Sequence, residues 1–565
     1  MRTVTIMQAR TSSSRLPAKA LLPIEGYPSA VLATLRAGNR DAANQNAPNR
    51  EHGTIFATSD DSSDDELARQ ARERGLTVFR GPLHDVLGRY YLACAQFPDD
   101  CTVIRVTADN MLPDGGFLRG LAEAFTAAGV DYMGTDWPLC GLPYGLSGEA
   151  FSVSVLRKAH REATDASDRE HVGPWIKRNC RSTFYRPQGL GSADFSHLRC
   201  TIDDEEDYRR MVCLFDQVAD PIGVRWHDLL HKLARLPGEP TFRVPYRIIA
   251  GRAHSELTLG TAQLGMEYGA VNDHGQPSTG QAVAIVRKAI AHGVTAVDTG
   301  RVYGTAEEIL GKALSGAWSS RAEVITKLDL SGLTADASEA QVRSRVDASI
   351  ALSCRALGRS RLTVVLLHRW QDRGAWQGTA WHRLLELREA GTIAVLGASV
   401  YQPQEALEAL DDPALEHLQI PLNVLDWRWE AAGVDRVALR RPEVIVHARS
   451  ALLQGVLAHP PNRWPNAEDF RAVECSQILE RLAQQFGRES VTDLCLAYPR
   501  SLGWVTSAVV GCETAEQLEE NLRLSRTAKL SAEQCRVLRQ ELPRAPEKFL
   551  NPSKWTKQHE YSAKH

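Results

Sequence analysis

The sequence predicts an α/β protein of two domains, the second of them a (β/α)8 barrel. Three observations carry this. The chain has 565 residues, more than one hydrophobic core can organise. From Leu257 to Gly511 short apolar runs alternate with amphipathic stretches, the pattern of parallel strands joined by helices. A polar residue follows most of those runs, as expected where strand ends gather at one mouth.

The barrel candidates follow in order. Leu257–Gly260 is the first strand, and Gln281–His292 an amphipathic helix stopped by Gly293. Val294–Val297 leads to Asp298, and Glu323–Thr326 to Lys327. Leu362–Leu367 leads to His368, and Ala394–Ala398 to Ser399. His417–Ile420 precedes Asn423, Glu443–Ala448 ends at Arg449, and Ser507–Val510 ends at Gly511. Helical patterns at 340–357, 380–390 and 475–486 separate them.

Composition narrows the partners. Net charge is -3, so no strong field draws nucleic acid or an anionic membrane. Eleven cysteines are scattered without a C-x-x-C pair. This argues against a zinc site or a disulfide framework and fits a reducing cytoplasm. Met1–Ile6 goes directly into a strand pattern without the apolar core of a signal peptide. No run is long and apolar enough to span a membrane. An oligomer is compatible with all of this.

In the first half, strand pattern Thr3–Met7 feeds a loop, Gln8–Lys19, with three cations and several small residues. Such a loop suits a triphosphate, because small residues admit backbone N–H groups and cations neutralise charge. It is not a Walker A loop, and an ordinary solvated basic loop is the alternative. Strand pattern Gly53–Ala57 precedes the acidic run Asp60–Glu66. Ser63 with Glu66 reads as a capping box for a helix ending near Gly75. Cys101–Val106 and Leu198–Ile202 read as strands that lead to Asp109 and Asp203. Two strand-end carboxylates can share one Mg2+, although a lone one is more often a turn former.

These residues carry a resemblance. Gln8–Lys19 resembles the opening loop of the cytidylyltransferases that activate sugar acids, closest to the spore-coat polysaccharide branch. It continues through Arg80-Gly81, Asp85–Tyr90, Thr107-Ala108-Asp109, Arg169–Val172 and Thr201-Ile202-Asp203. The resemblance implies an α/β/α nucleotidyltransferase-like sheet. In it Arg10, Ser13, Arg15 and Lys19 hold CTP, and Asp109 and Asp203 hold Mg2+. Ser12 and Ala18 stand where the family has glycine, and Asn110-Met111 where it has Cys-Pro.

Leu236–Pro240 breaks the helical pattern of Trp226–Leu233. The expected organisation is a first domain over 1–240, a linker over 241–255, a barrel over 256–545 and a polar tail over 546–565. Lys554, Trp555 and Lys557 of that tail read as a frayed terminus, with closure over a site as the alternative.

At the barrel mouth four residues form a coherent set. Tyrosine is a weak acid. A nearby lysine strengthens it, an aspartate fixes the lysine, and a histidine can hydrogen-bond a substrate oxygen. Asp298, Tyr303, Lys327 and His368 supply these parts on successive strand ends. Singly each has a bland reading: a helix cap, a packed ring, a surface cation, a core histidine.

The set resembles the aldo/keto reductase superfamily. So do Gly260–Gly265, Gly397-Ala398-Ser399 and Glu516–Asn521. The resemblance implies hydride transfer from NADPH to a carbonyl, with Tyr303 as proton donor and no metal. Ser399 and Gln419 would hold the nicotinamide carboxamide, although Val400 replaces the asparagine that often follows that serine. Arg449 falls where many members stack a tyrosine on the nicotinamide. Glu520 and Asn521 match adenine contacts, with an exposed helix face as the alternative. Gly511-Cys512-Glu513 lacks the usual basic grip on a 2′-phosphate, so NADH is possible.

The expectation is therefore a bifunctional cytoplasmic enzyme. It would reduce a carbonyl or sugar substrate and activate a sugar acid with CTP and Mg2+, in surface polysaccharide or nonulosonic-acid synthesis. One alternative keeps the reductase and makes the first domain a non-catalytic nucleotide-binding module. Another makes the barrel a cofactor-binding redox sensor.

Overall fold

The computed structural model describes residues 2–13, 15–39, 52–465 and 470–555. It divides into two compact units, Met1–Arg243 and Val244–His565.

The first unit is built on a seven-stranded sheet. Its strands are β1 (Thr3–Gln8), β2 (His52–Ser59), β3 (Thr77–Gly81), β4 (Thr102–Thr107), β5 (Tyr132–Gly134), β6 (Glu149–Ser152) and β7 (Ser182–Phe184). Their order is β3-β2-β1-β4-β6-β5-β7. The first four are parallel, and β6 runs against both its neighbours. Side chains alternate across a strand, so Val4 and Ile6 enter one apolar cluster and Met7 the other. Helices Ser29–Gly38, Gly115–Ala128 and Trp226–Leu233 cover one face, and Val86–Ala93 and Val153–Glu162 the other. The result is an α/β/α sandwich. Gln8 and Thr107, the last residues of the central strands β1 and β4, are paired in register. The loops that follow them therefore leave the sheet side by side, where ligands bind in such sheets.

Two local expectations change here. Leu198–Ile202 is not a sheet strand. It makes isolated bridges, Asn110 with Thr201 and Tyr144 with Arg199, and Ile202 N–H donates to Asp109 O at 2.9 Å. That pairing brings Asp203 to Asp109 without a sheet position. The helix start near residue 63 also differs. Asp61, not Ser63, is the cap: it accepts from Ser63 N, a short 3-10 turn Ser62–Asp64 follows, and the α-helix runs Asp65–Glu73. Glu66 is drawn instead to Arg69 at 2.7 Å.

The second unit is a closed barrel of eight strands. They are β8 (Leu257–Gly260), β9 (Ala296–Asp298), β10 (Glu323–Lys327), β11 (Leu362–Leu367), β12 (Ile393–Ser399), β13 (His417–Pro421), β14 (Ile445–Arg449) and β15 (Ser507–Val510). Every adjacent pair is parallel, β15 closing onto β8. Asp298, Lys327, Ser399 and Arg449 are the last residues of their strands, and His368 follows Leu367 directly. Ser338 and Ser278 form capping boxes for Glu339–Leu357 and Thr279–Ala291, so two of the helices begin where their sequences supply a cap.

The stretch read as a linker is not featureless. Tyr246–Ile249 and Arg252–Ser255 form an antiparallel hairpin. Arg247 donates to Gly503 O, and Ser255 N–H donates to Thr295 Oγ1 at 2.9 Å. These partners precede β15 and β9, so the hairpin lies at the N-terminal end of the barrel, away from the polar strand ends.

The tail is also more ordered than expected as far as Trp555. Phe549 and Leu550 are buried, and Phe549 packs against Trp464, Phe470 and Trp555. Trp555 Nε1 donates to Phe549 O at 3.0 Å. Lys557 lies outside the described residues. No helix among the described residues is long and apolar enough to cross a membrane.

Candidate functional site

At the barrel mouth Lys327 Nζ donates to Asp298 Oδ1 at 2.7 Å and to Thr299 O at 2.8 Å. Gln419 Nε2 donates to the same Asp298 oxygen at 2.7 Å. Asp298, Lys327 and Gln419 are all buried. The Lys327 ammonium stands 4.9 Å from the Tyr303 ring centroid. Tyr303 meets His368 edge to face, centroids 6.3 Å apart. The four residues read from the sequence as one set are thus brought together.

Their electrostatics follow from burial and charge. Burial opposes the charge on Lys327, but Asp298 and Tyr303 outweigh it and raise its pKa. Burial also dominates at Tyr303 and lifts the phenol above its ordinary value, against the pull of Lys327 and Arg449. The sequence expectation of a strengthened acid holds for the sign of the lysine's effect and fails for the net. Burial, reinforced by Lys327 and Arg449, lowers His368 to about 4, so its imidazole is neutral at neutral pH.

The loop carrying Tyr303 is held by close backbone packing. A Cβ on Gly265 would meet Tyr303 O at 2.1 Å, and one on Gly304 would meet Gly265 O at 2.3 Å. Gly304 also has φ +56°. Both positions demand glycine. Glu307 ties the loop to β10: it accepts from Thr326 Oγ1 at 2.6 Å and pairs with Arg301.

The other expected cofactor residues divide. Ser399 is in register beside Gln419. Gln419 Oε1 is buried with no hydrogen-bond partner, an orphan acceptor that fits the amino group of a carboxamide. Arg449, the last residue of β14, has partners of its own. Its guanidinium sits 4.4 Å over Tyr401 and donates to Val400 O at 3.1 Å. Glu520 is exposed and paired with Arg523, whereas Asn521 is buried. Beside these four residues lies a cavity of about 550 Å3 lined by His368, Arg369, Tyr401 and, from the C-terminal segment, Asn551 and Ser553. Closure of the tail over a site, the alternative reading of its sequence, is what the structure shows, through Asn551 and Ser553 rather than Lys554 and Trp555.

In the first unit a cavity of about 300 Å3 opens at the ends of β1 and β4, lined by Arg10, Ser13, Arg15, Lys19, Asp109 and Asp203 among others. All six sequence-predicted residues meet here. Lys19 Nζ donates to Asp109 Oδ2 at 2.9 Å, Asp203 Oδ1 at 3.3 Å and Ile202 O at 2.6 Å. Arg15 approaches Asp203 at 3.8 Å, and Arg10 pairs with Glu170 at 3.0 Å. Burial works against the Asp203 carboxylate, but Lys19, Arg199 and Arg15 prevail and hold its pKa low. Hard carboxylate oxygens suit Mg2+. No group of three or more candidate ligands occurs among the described residues, so such an ion would draw further oxygens from substrate and water. Ala18, where the resembled family has glycine, adopts φ 54°, a conformation glycine reaches at no cost.

Asp64 is the residue the sequence reading left out. Its carboxylate accepts from Thr11 N and Thr11 Oγ1, both at 2.7 Å, from Thr58 Oγ1 at 2.9 Å, and from both N and Oγ of Ser59. It pins the Gln8–Lys19 loop to the end of β2. Within the run Asp60–Glu66 the signal was present as an acid, but nothing local distinguishes it from its neighbours.

Comparison with known proteins agrees with this division. The cytidylyltransferase family model matches residues 4–222, and the aldo/keto reductase family model matches 256–541. The spore coat polysaccharide biosynthesis protein SpsF of Bacillus subtilis (strain 168) is 28% identical over 242 residues, covering 42% of this chain and 96% of that protein. The L-glyceraldehyde 3-phosphate reductase of Escherichia coli O157:H7 is 26% identical over 293 residues, covering 46% of this chain and 83% of that protein. Among solved structures, aldo-keto reductase AKR11C1 from Bacillus halodurans (holo form) is 19% identical with a TM-score of 0.44, covering 54% of this chain and 98% of that one. With its barrel model spanning just over half of the residues, the chain belongs to the aldo/keto reductase family and carries a cytidylyltransferase-family region ahead of the barrel.

Proposed function

We propose that the barrel reduces a carbonyl with NADPH or NADH and that the first unit activates a sugar acid with CTP and Mg2+. The observation that carries the first half is the buried run Gln419–Asp298–Lys327 beside Tyr303, with His368 against the same ring. The dinucleotide, when bound, supplies hydride. The chain does the rest. Tyr303 stays a neutral phenol at neutral pH, the form that can give a proton to the developing alkoxide. Lys327 places a positive charge beside that phenol and stabilises it once the proton has left. Asp298 and Gln419 fix Lys327. Neutral His368 offers an N–H to the carbonyl oxygen. Gln419 Oε1 and Ser399 would orient the carboxamide.

In the first unit Arg10, Ser13, Arg15 and Lys19 would bind the triphosphate, and Asp109 and Asp203 would hold Mg2+. That ion would neutralise phosphate charge as the sugar acid attacks. Similarity to a spore coat polysaccharide biosynthesis protein supports a role in surface polysaccharide or nonulosonic-acid synthesis. A second reading, a nucleotide-binding module without turnover, is favoured by Ala18 in a left-handed conformation within the loop.

The deciding experiment measures NADPH and NADH oxidation against a set of keto-sugars, with pyrophosphate release from CTP plus sugar acids followed in parallel. Both activities are expected. Reductase turnover with CTP binding but no pyrophosphate would leave the module reading standing, and no oxidation of either nucleotide would refute the reductase.

A further inference from the structure

The ammonium of Lys19 occupies the place between the two aspartates. It has three N–H donors, and three acceptors take them: Asp109 Oδ2, Asp203 Oδ1 and Ile202 O. No N–H is left for a phosphate. The second Asp203 oxygen is taken by Arg199, which also pairs with Asp207 at 3.0 Å. Of the other cations lining the cavity, Arg10 pairs with Glu170 and Arg105 with Glu149, whereas Arg15 stands 3.8 Å from Asp203 with a half-exposed side chain.

Such a site is poor for either ligand alone. A divalent ion on the aspartates would sit about 2 Å from their oxygens. Lys19 Nζ already stands 2.9 and 3.3 Å from those same atoms. Ion and ammonium would be pressed together, and like charges that close repel strongly in a part-buried site. A bare triphosphate would have to pull Lys19 from Asp109, which would then lose its cation. Arriving together, the two ligands resolve both conflicts. The metal takes the carboxylates, and the displaced ammonium finds phosphate oxygens.

We infer that Lys19 is a resident cation that keeps the Asp109–Asp203 pair closed to divalent metal until a nucleoside triphosphate draws it away, so that metal and nucleotide bind as a mutually dependent pair. This rests on the proposed nucleotide-binding reading of the cavity. It makes Lys19 a positioning residue before it is a phosphate ligand, and it requires reciprocal coupling: each ligand raises the affinity for the other by the same factor.

The test uses Mn2+ alone on the full-length protein, read as the loss of the free-ion electron paramagnetic resonance signal. The wild type is expected to bind Mn2+ at this site weakly without nucleotide, and at least tenfold more tightly with CTP present once the Mn2+ held by CTP in protein-free buffer is subtracted. Lys19→Met should bind Mn2+ alone at least tenfold more tightly than the wild type, and Lys19→Met/Asp109→Asn should lose that gain. A melting curve checks each fold, and Lys19→Ala replaces Lys19→Met if the latter melts early. Wild-type affinity for Mn2+ alone equal to that of the Lys19 variant overturns the inference. Turnover is not read, so a failure here and a failure of nucleotidyl transfer are separate results.

Discussion

Lys327 donates to Asp298 at 2.7 Å inside the barrel, and both side chains are withdrawn from water. Removing one member of a buried pair leaves the other charged without compensation, at a cost of about 3–5 kcal/mol. Lys327→Met should therefore destabilise the barrel by about that amount, since Gln419 alone would remain as a donor to Asp298 Oδ1. Adding Asp298→Asn should return part of the loss. Urea unfolding of the two variants measures both, and a double variant no more stable than Lys327→Met would show that the pair is not the source.

Tyr303→Phe isolates chemistry from packing. The ring contacts with Lys327 and His368 survive the change, and only the phenolic O–H goes. Proton transfer by a positioned side chain contributes about 10^2–10^4-fold. Carbonyl reduction should fall by about that factor with the melting temperature almost unchanged. Retained reduction in stopped-flow assays would remove Tyr303 from the proton-donor role.

Most of the barrel was legible because its signal is periodic. Strand ends such as Asp298 and Lys327 are placed by the alternation of apolar runs and helices, and one missed boundary does not move them. The first unit was less legible for a physical reason. Asp203 reaches Asp109 through an isolated bridge between Asn110 and Thr201, a contact between distant segments that leaves no pattern in either one. Arg449 over Tyr401 is of the same kind: its sequence position suggested a group stacked on the nicotinamide, and only the fold brings the Tyr401 ring to it. The net pKa of Tyr303 also needed the fold, because burial has no local sequence signature.

His368 should titrate near 4 rather than near 6.5. Burial, Lys327 and Arg449 all disfavour its charged form, so Arg449→Met should move the midpoint upward. Carbon-13 or nitrogen-15 resonances of the imidazole report it directly. A midpoint unchanged by Arg449→Met would mean that the guanidinium over Tyr401 is screened from His368.

The barrel should weaken with acid before carboxylates titrate. His417 and His447 are buried against each other, ring centroids 4.4 Å apart. Burial lowers His417 to about 3 and His447 well below its ordinary value. Their folded pKa values lie below 6.5, so the unfolded chain binds more protons and stability rises with pH. The contribution is complete above 6.5 and lost progressively as pH falls towards about 3. Thermal melts of the barrel between pH 7.5 and 4.5, the interval chosen as roughly spanning ordinary histidine titration, should show a falling midpoint. A flat profile would require protonated histidines in the fold.

Asp64 gives the sharpest separation of the two units. Burial opposes its charge, yet the hydrogen bonds from Ser59, Thr11 and Thr58 prevail and keep its pKa low. Asp64→Ala removes every one of those acceptor contacts and leaves the Thr11 and Ser59 N–H groups without their side-chain acceptor. Each unsatisfied buried donor costs about 1–3 kcal/mol. The cheapest relaxation is to release the Gln8–Lys19 loop from β2. CTP affinity should then fall by about tenfold or more, as a loss of 1.4 kcal/mol or more implies. Carbonyl reduction should keep its rate, because Asp64 belongs to the first unit and the proposed reducing site to the second. Calorimetric titration of CTP and an NADPH-oxidation assay on the same preparation decide it. Undiminished CTP affinity would show that the loop holds its shape without Asp64.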